Sequence, residues 1–139
     1  MSITVDWYNA EKTAIIYTYD GPWTWNDFDT VVTQGNMLIK SVPYIVHVVV
    51  DLKDGSIVPT DVISASGRER ITNMTPPNHG KLIVYRISPA IHFLASTVER
   101  IAPQWVAKRN VVFAYTPEEI DAAIQSDSSD SDILNAAGL

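Results

Sequence analysis

One stretch of the chain, YIVHVVVDLKDGS at residues 44–56, constrains the fold more than any other. Seven residues pass without a carboxylate or an ammonium group, and four of them are Val. A strand with one solvated face alternates polar and apolar residues, so this unbroken run predicts a strand covered on both faces, usually in a parallel sheet. We therefore expect Val48 and Val50 to be almost fully buried.

The polar break that ends this run marks the predicted functional edge, because α/β domains place their sites at the carboxyl ends of parallel strands. Asp51, Asp54 and Ser56 follow the run, and Thr60 and Asp61 open the next predicted helix. These five residues are the candidate partner surface. Taken alone, Asp51 is predicted to be a solvated or turn-capping residue rather than a phosphoryl acceptor, because the neighbouring strand ends supply too few acids and no Lys.

Hydrophobic periodicity and capping signals predict the order ββαβαβαβα over residues 1–125. This is a single α/β domain with a four- or five-stranded mixed sheet, about four helices and an N-terminal β-hairpin. Residues 126–139 are rich in Ser and Asp and are expected to form a flexible acidic tail. The predicted helices begin at Thr24, Pro59, Ser88 and Thr116, and the later strands cover residues 81–87 and 111–115.

Composition excludes several functional classes. The net charge of −6 argues against binding nucleic acid, and the absence of Cys excludes disulfides and thiolate chemistry. No apolar run reaches the ~20 residues that span a bilayer, and the N-terminus does not read as a signal peptide, so we expect a cytoplasmic protein without membrane insertion. The three His residues lack metal-ligand spacing, and we expect no metal or cofactor. His47 is expected to be a strand residue whose ring is satisfied by a neighbour.

Aromatic residues are concentrated in the first 25 positions, where six of them lie. Cross-strand pairing in a core accounts for much of this cluster, whereas Trp and Tyr are also enriched at binding hot spots. The candidates for an interface or an apolar ligand site are Tyr17, Tyr19, Trp23 and Trp25.

The chain also resembles the STAS domain, the sulfate-transporter and anti-sigma-factor-antagonist family, and in particular its small stand-alone bacterial members. The resemblance lies in the N-terminal hairpin, in WTWNDFD, in VVVDLKDGSIVPTDVI and in the closing VVFAYTPEEIDAAI. It implies alternating strands and helices and a non-enzymatic, partner-binding role. The antagonist branch is phosphorylated in an Asp-Ser-Ser-Gly turn, and the corresponding stretch here reads Val58-Pro59-Thr60-Asp61, so that phosphoacceptor motif is not retained.

The sequence therefore predicts a non-catalytic regulatory or protein-interaction module whose partner is another protein, with a homodimer left open. The alternative is a small apolar-ligand carrier with a pocket near the N-terminal aromatics. An enzyme ranks last, because no nucleophile, base and orienting group can be assembled from the sequence.

Overall fold

A five-stranded sheet forms the centre of the protein in the computed structural model, which describes residues 3–53, 69, 76–86 and 88–125. Its strand order is β1-β2-β3-β4-β5, and β1 is antiparallel to β2 while every other neighbouring pair is parallel. The predicted α/β class, mixed sheet and N-terminal hairpin are thus confirmed. The strands are β1 (Ile3–Trp7), β2 (Ala14–Tyr19), β3 (Val46–Asp51), β4 (His79–Tyr85) and β5 (Val111–Ala114).

The turn between β1 and β2 is organised by one Asn side chain. Asn9 Oδ1 accepts a hydrogen bond from the Thr13 N–H at 3.0 Å, and its amide nitrogen donates to Thr13 Oγ1 at 2.7 Å. Lys12 takes the left-handed conformation with φ 57°, which closes the turn. The side-chain amide thus ties the start of the turn to its end, which sets the register of the hairpin.

Helix α1 (Trp25–Lys40) begins at the predicted capping box. Asp27 N–H donates to Thr24 Oγ1 and Thr24 N–H donates to the Asp27 carboxylate. At the other end of α1, the Asn78 side-chain amide donates to the carbonyls of Ile39 at 2.7 Å and of Tyr44 at 2.9 Å. Because the last carbonyls of a helix lack partners within the helix, Asn78 joins the end of α1 to the start of β3.

The later helices agree with the sequence in part. Helix α2 (Pro89–Ile101) ends before Pro103, as predicted, but a separate short helix, α3 (Pro103–Arg109), follows it and was not predicted. Pro is well suited to the first turn of a helix, so Pro103 starts α3 as well as ending α2. Residues 117–125 form the expected last helix, which is capped reciprocally by Thr116 and Glu119. Of the helix predicted from Pro59, the structure describes Glu69, which is helical, and the rest lies outside the described residues.

Two hydrophobic clusters cover the two faces of the sheet. Helix α1 packs over one face, and residues 117–125 pack over the other. Val48 and Val49, which are adjacent in β3, point to opposite faces and are both buried, which explains the apolar run. Val50 is only partly buried, so the expectation of almost complete burial is correct for Val48 and wrong for Val50. Val50 lies one residue from the carboxyl end of its strand, where less of the core surrounds it.

The last helix is fastened to the sheet by two polar contacts. Tyr8 donates its hydroxyl proton to Asp121 at 2.8 Å, and the buried Lys81 donates from Nζ to the Ala123 carbonyl at 3.2 Å. Partial burial, followed by the hydrogen bond and the negative charge of Asp121, raises the pKa of Tyr8 to about 12. The buried ring of His47 accepts a hydrogen bond at Nδ1 from the Lys81 N–H at 3.0 Å, so the expectation of a satisfied strand histidine is confirmed.

Candidate functional site

The carboxyl ends of β3 and β4 are joined by an ion pair between Asp51 and Arg86. The Arg86 Nε lies 3.0 Å from Asp51 Oδ1. Asp51 is only 8% exposed, whereas the Arg86 side chain is 48% exposed. The expectation that Asp51 is a solvated or turn-capping residue is therefore wrong. It is a buried acid, and its pairing with Arg86 offsets the cost of removing its charge from water.

Arg86 is held in an unusual backbone conformation. Its φ is 63°, in the left-handed region that costs a residue with a Cβ atom about 1–2 kcal/mol. The guanidinium carbon lies 5.2 Å from the centre of the Tyr85 ring, within the range of a cation–π contact. The Tyr85 ring and the Asp51 carboxylate together fix the direction of the Arg86 side chain. About half of this side chain faces solvent, and its guanidinium can donate several hydrogen bonds from that fixed position.

Tyr115 extends this group onto the next strand end. Tyr85 pairs with Ala114 in the sheet, so Arg86 and Tyr115, the residues that follow them, belong to neighbouring strand ends. Tyr115 is 65% exposed. We name Asp51, Tyr85, Arg86 and Tyr115 the carboxyl-edge cluster. It combines a buried acid, an oriented Arg and two Tyr side chains.

The charges beside the carboxyl-edge cluster are also paired. Lys53 Nζ lies 3.6 Å from the Asp20 carboxylate, and both side chains are about half exposed. With the Asp51–Arg86 pair, this edge carries two ion pairs, and the Glu119 carboxylate, which accepts a hydrogen bond from the Tyr115 N–H, adds a further negative charge. Because both cations of these pairs already lie beside carboxylates, the edge is suited to directional hydrogen bonds rather than to long-range attraction of an anion.

The order of the strands decides the shape of this edge. A binding crevice opens in α/β sheets where the strand order reverses. Here the strand order follows the chain without reversal from β1 to β5 in the described sheet. Among the described residues, this edge therefore has no strand-order reversal of the kind that opens a crevice for small molecules in many α/β proteins.

The remaining residues of the candidate partner surface cannot be placed beside Asp51. Asp54, Ser56, Thr60 and Asp61 all lie outside the described residues. Sequence reasoning pointed to this edge through the end of β3. It missed Arg86 and Tyr115, although a signal existed: each directly follows an apolar strand that is parallel to β3.

The N-terminal aromatic candidates belong mainly to the core. Tyr17 and Tyr19 are buried, and burial raises the pKa of both hydroxyls above the ordinary Tyr value. Trp23 makes an edge contact with Tyr19, with ring centres 5.5 Å apart, and stacks on Phe28 at 5.7 Å. These contacts are those of a packed interior. Trp25 is the first residue of α1, and its side chain lies outside the described part of the structure.

An open groove of about 450 Å³ occurs at the opposite edge of the sheet, where β3 and β4 begin. The groove is lined by the half-exposed Tyr44 and Ile45 and by Asn78, whose side-chain amide makes the carbonyl contacts described above. This groove is far along the strands from the carboxyl-edge cluster. The carrier hypothesis expected a pocket near Trp23 and Trp25, and Trp23 does not line this groove.

Neither a metal-binding cluster nor a membrane-spanning helix occurs in the part of the chain that the structure describes. Among residues 3–53, 69, 76–86 and 88–125, no three His, Asp or Glu side chains converge as a metal site would require. Within the same ranges, no helix has both the length and the apolar character needed to cross a bilayer. When the chain is compared with known proteins, it matches no family model, no curated protein and no solved structure.

Proposed function

We propose that this protein is a non-catalytic protein-interaction module of the STAS type, acting in the cytoplasm, and that the carboxyl-edge cluster is the centre of its partner surface. Asp54, Ser56, Thr60 and Asp61 follow β3 in the chain and are assigned to the same surface on their sequence position.

The observation that carries this proposal is Arg86, which is oriented by the Asp51 carboxylate and the Tyr85 ring at a strand end that neighbours the strand end of Tyr115. Arg and Tyr are among the residues most enriched at interface hot spots, and a side chain that is already ordered loses less entropy on binding. The Asp51 carboxylate and the Tyr85 ring supply that order. The exposed Tyr115 adds a large, rigid contact area with only two rotatable side-chain bonds.

The pairing of Arg86 with Asp51 indicates the chemistry of the partner. Asp51 contacts the guanidinium at Nε and about half of the Arg86 side chain is exposed, so the guanidinium has further N–H donors to offer a partner. They suit backbone carbonyls or a single carboxylate presented by a protein surface. The absence of a strand-order reversal in the described sheet agrees with a protein partner better than with a small molecule, for which enclosure is the rule.

The small-ligand carrier is the weaker alternative. It requires space beside the N-terminal aromatics, but Tyr19, Trp23 and Phe28 are in mutual contact there. No observation on the described residues favours it over the interaction module.

The test compares capture of partners by wild type and by surface variants. Protein from the native host is passed over immobilised wild type, and each protein identified by mass spectrometry is then purified and its dissociation constant measured. Tyr115→Ser and Arg86→Gly should each weaken binding of the true partner by ~10-fold or more, as expected of hot-spot residues.

The matched control is Phe93→Ser, which removes a side chain of similar exposure from α2. It should leave the dissociation constant unchanged. If Phe93→Ser and Tyr115→Ser weaken binding equally, or if neither does, the carboxyl-edge cluster is not the partner surface.

A further inference from the structure

Strand β1 is the edge strand at one end of the described sheet. Among the described residues, β1 pairs with β2 alone and lies at one end of the sheet. An edge of this kind presents unpaired N–H and C=O groups and can accept a strand from another molecule. The strand reads ITVDW, in which Asp6 is the single charged residue.

The hydrogen bonds of the hairpin show which amides of β1 face outward. The Tyr8 N–H donates to the Ala14 carbonyl at 2.8 Å, so it points towards β2. In an antiparallel pair, the amides of alternate residues point to opposite sides of the strand. The N–H groups of Val5 and Trp7 therefore point to the open edge.

Asp6 acts on one of these outward amides. Its Oδ1 accepts a hydrogen bond from the Trp7 N–H at 2.7 Å. The carboxylate thus occupies a donor that an incoming strand would need, and it places an exposed negative charge at the edge. An incoming strand would have to break this hydrogen bond and remove water from the carboxylate.

We propose that Asp6 keeps the β1 edge from pairing with β1 of a second copy of this chain. In an antiparallel pairing of two β1 strands across a two-fold axis, the two Asp6 residues face each other or lie within a few residues, where like charges oppose pairing. Without Asp6 the strand has the high β-propensity and lack of charge that favour association between edges. This role is independent of the carboxyl-edge cluster and of the proposed function.

The central test is Asp6→Val, studied by sedimentation velocity over a wide dilution series. We expect wild type to remain monomeric over the whole series. The dimer dissociation constant of Asp6→Val should be lower than that of wild type by ~10-fold or more, because no carboxylate has to be dehydrated when two Asp6→Val strands pair. Thr4→Val is the matched control. It makes the same type of change on the same face of β1 but keeps Asp6, and it should remain monomeric.

Amide hydrogen exchange locates the contact. The outward Val5 amide should exchange rapidly in wild type and become protected in the Asp6→Val dimer, while the Tyr8 amide should be protected in both. If Asp6→Val does not fold, Asp6→Asn keeps the side-chain shape, removes the charge and should also self-associate. The proposal is overturned if both variants stay monomeric, if Thr4→Val associates as tightly as Asp6→Val, or if wild type is already a dimer with a protected Val5 amide.

Discussion

Arg86 allows ion pairing and backbone strain to be separated by two substitutions at one position. Arg86→Ala and Arg86→Gly both remove the guanidinium from Asp51 and from the Tyr85 ring. Only Gly adopts a φ near 63° without steric cost. Both variants therefore lose the same side-chain contacts, and the difference between them reports the backbone.

The magnitudes follow from burial and conformation. Breaking a fully buried ion pair costs about 3–5 kcal/mol, whereas an exposed pair contributes about 0–1 kcal/mol. Because Asp51 is buried and Arg86 is half exposed, we expect Arg86→Ala to lose about 2 kcal/mol of unfolding free energy. Gly relieves about 1–2 kcal/mol of steric cost and loses about 0.4–1 kcal/mol through the greater freedom of the unfolded chain. Arg86→Gly should thus be about 1 kcal/mol more stable than Arg86→Ala.

Urea unfolding, followed by circular dichroism at pH 7, measures this difference. Lys53→Ala is the control, because it breaks the more exposed pair with Asp20 and should cost less than about 0.5 kcal/mol. If Arg86→Gly is no more stable than Arg86→Ala, the left-handed conformation of Arg86 carries no strain. If neither variant is less stable than wild type, the Asp51–Arg86 pair contributes nothing.

Three further outcomes are expected. Gly35→Ala would place a Cβ against the Tyr17 hydroxyl, and the overpacking cost of about 1–3 kcal/mol should exceed the helix-propensity gain of about 1 kcal/mol. Thermal unfolding should therefore show that Gly35→Ala is less stable than wild type, whereas Gln34→Ala, on the exposed side of α1, should not be. Asn78→Ala should lower the unfolding free energy by about 1–2 kcal/mol in urea titrations, because carbonyls at the end of α1 lose their donor. Between pH 10 and about 12 the unfolded chain loses the Tyr8 proton that the folded protein retains, so stability should decrease as pH rises, and less steeply in Tyr8→Phe.

Local signals predicted the fold well. The apolar run at β3 correctly indicated a strand covered on both faces, and the Thr24–Asp27 and Thr116–Glu119 capping boxes located two helix starts. In each case the signal and the structure it specifies lie within a few residues of one another. The short helix α3 was missed because a Pro that ends one helix also suits the first turn of the next.

The candidate site was harder to predict because it depends on contacts between distant residues. Asp51 reads as a loop acid, since nothing in its own segment shows that Arg86 will lie beside it. The burial of Tyr17 and Tyr19 likewise depends on where α1 packs over the sheet. Periodicity gives the face of a strand but not the identity of the group that covers it.

The sequential strand order has a consequence for how the chain is made. Each new strand of the described sheet pairs with the strand that precedes it in the chain, so no strand must wait for a later segment to complete a pair on its inner side. On the ribosome, β1 and β2 can close as a hairpin first, and β3, β4 and β5 can then add in the order in which they emerge. The strand order thus allows the sheet to grow in one direction during synthesis, with β5 added last.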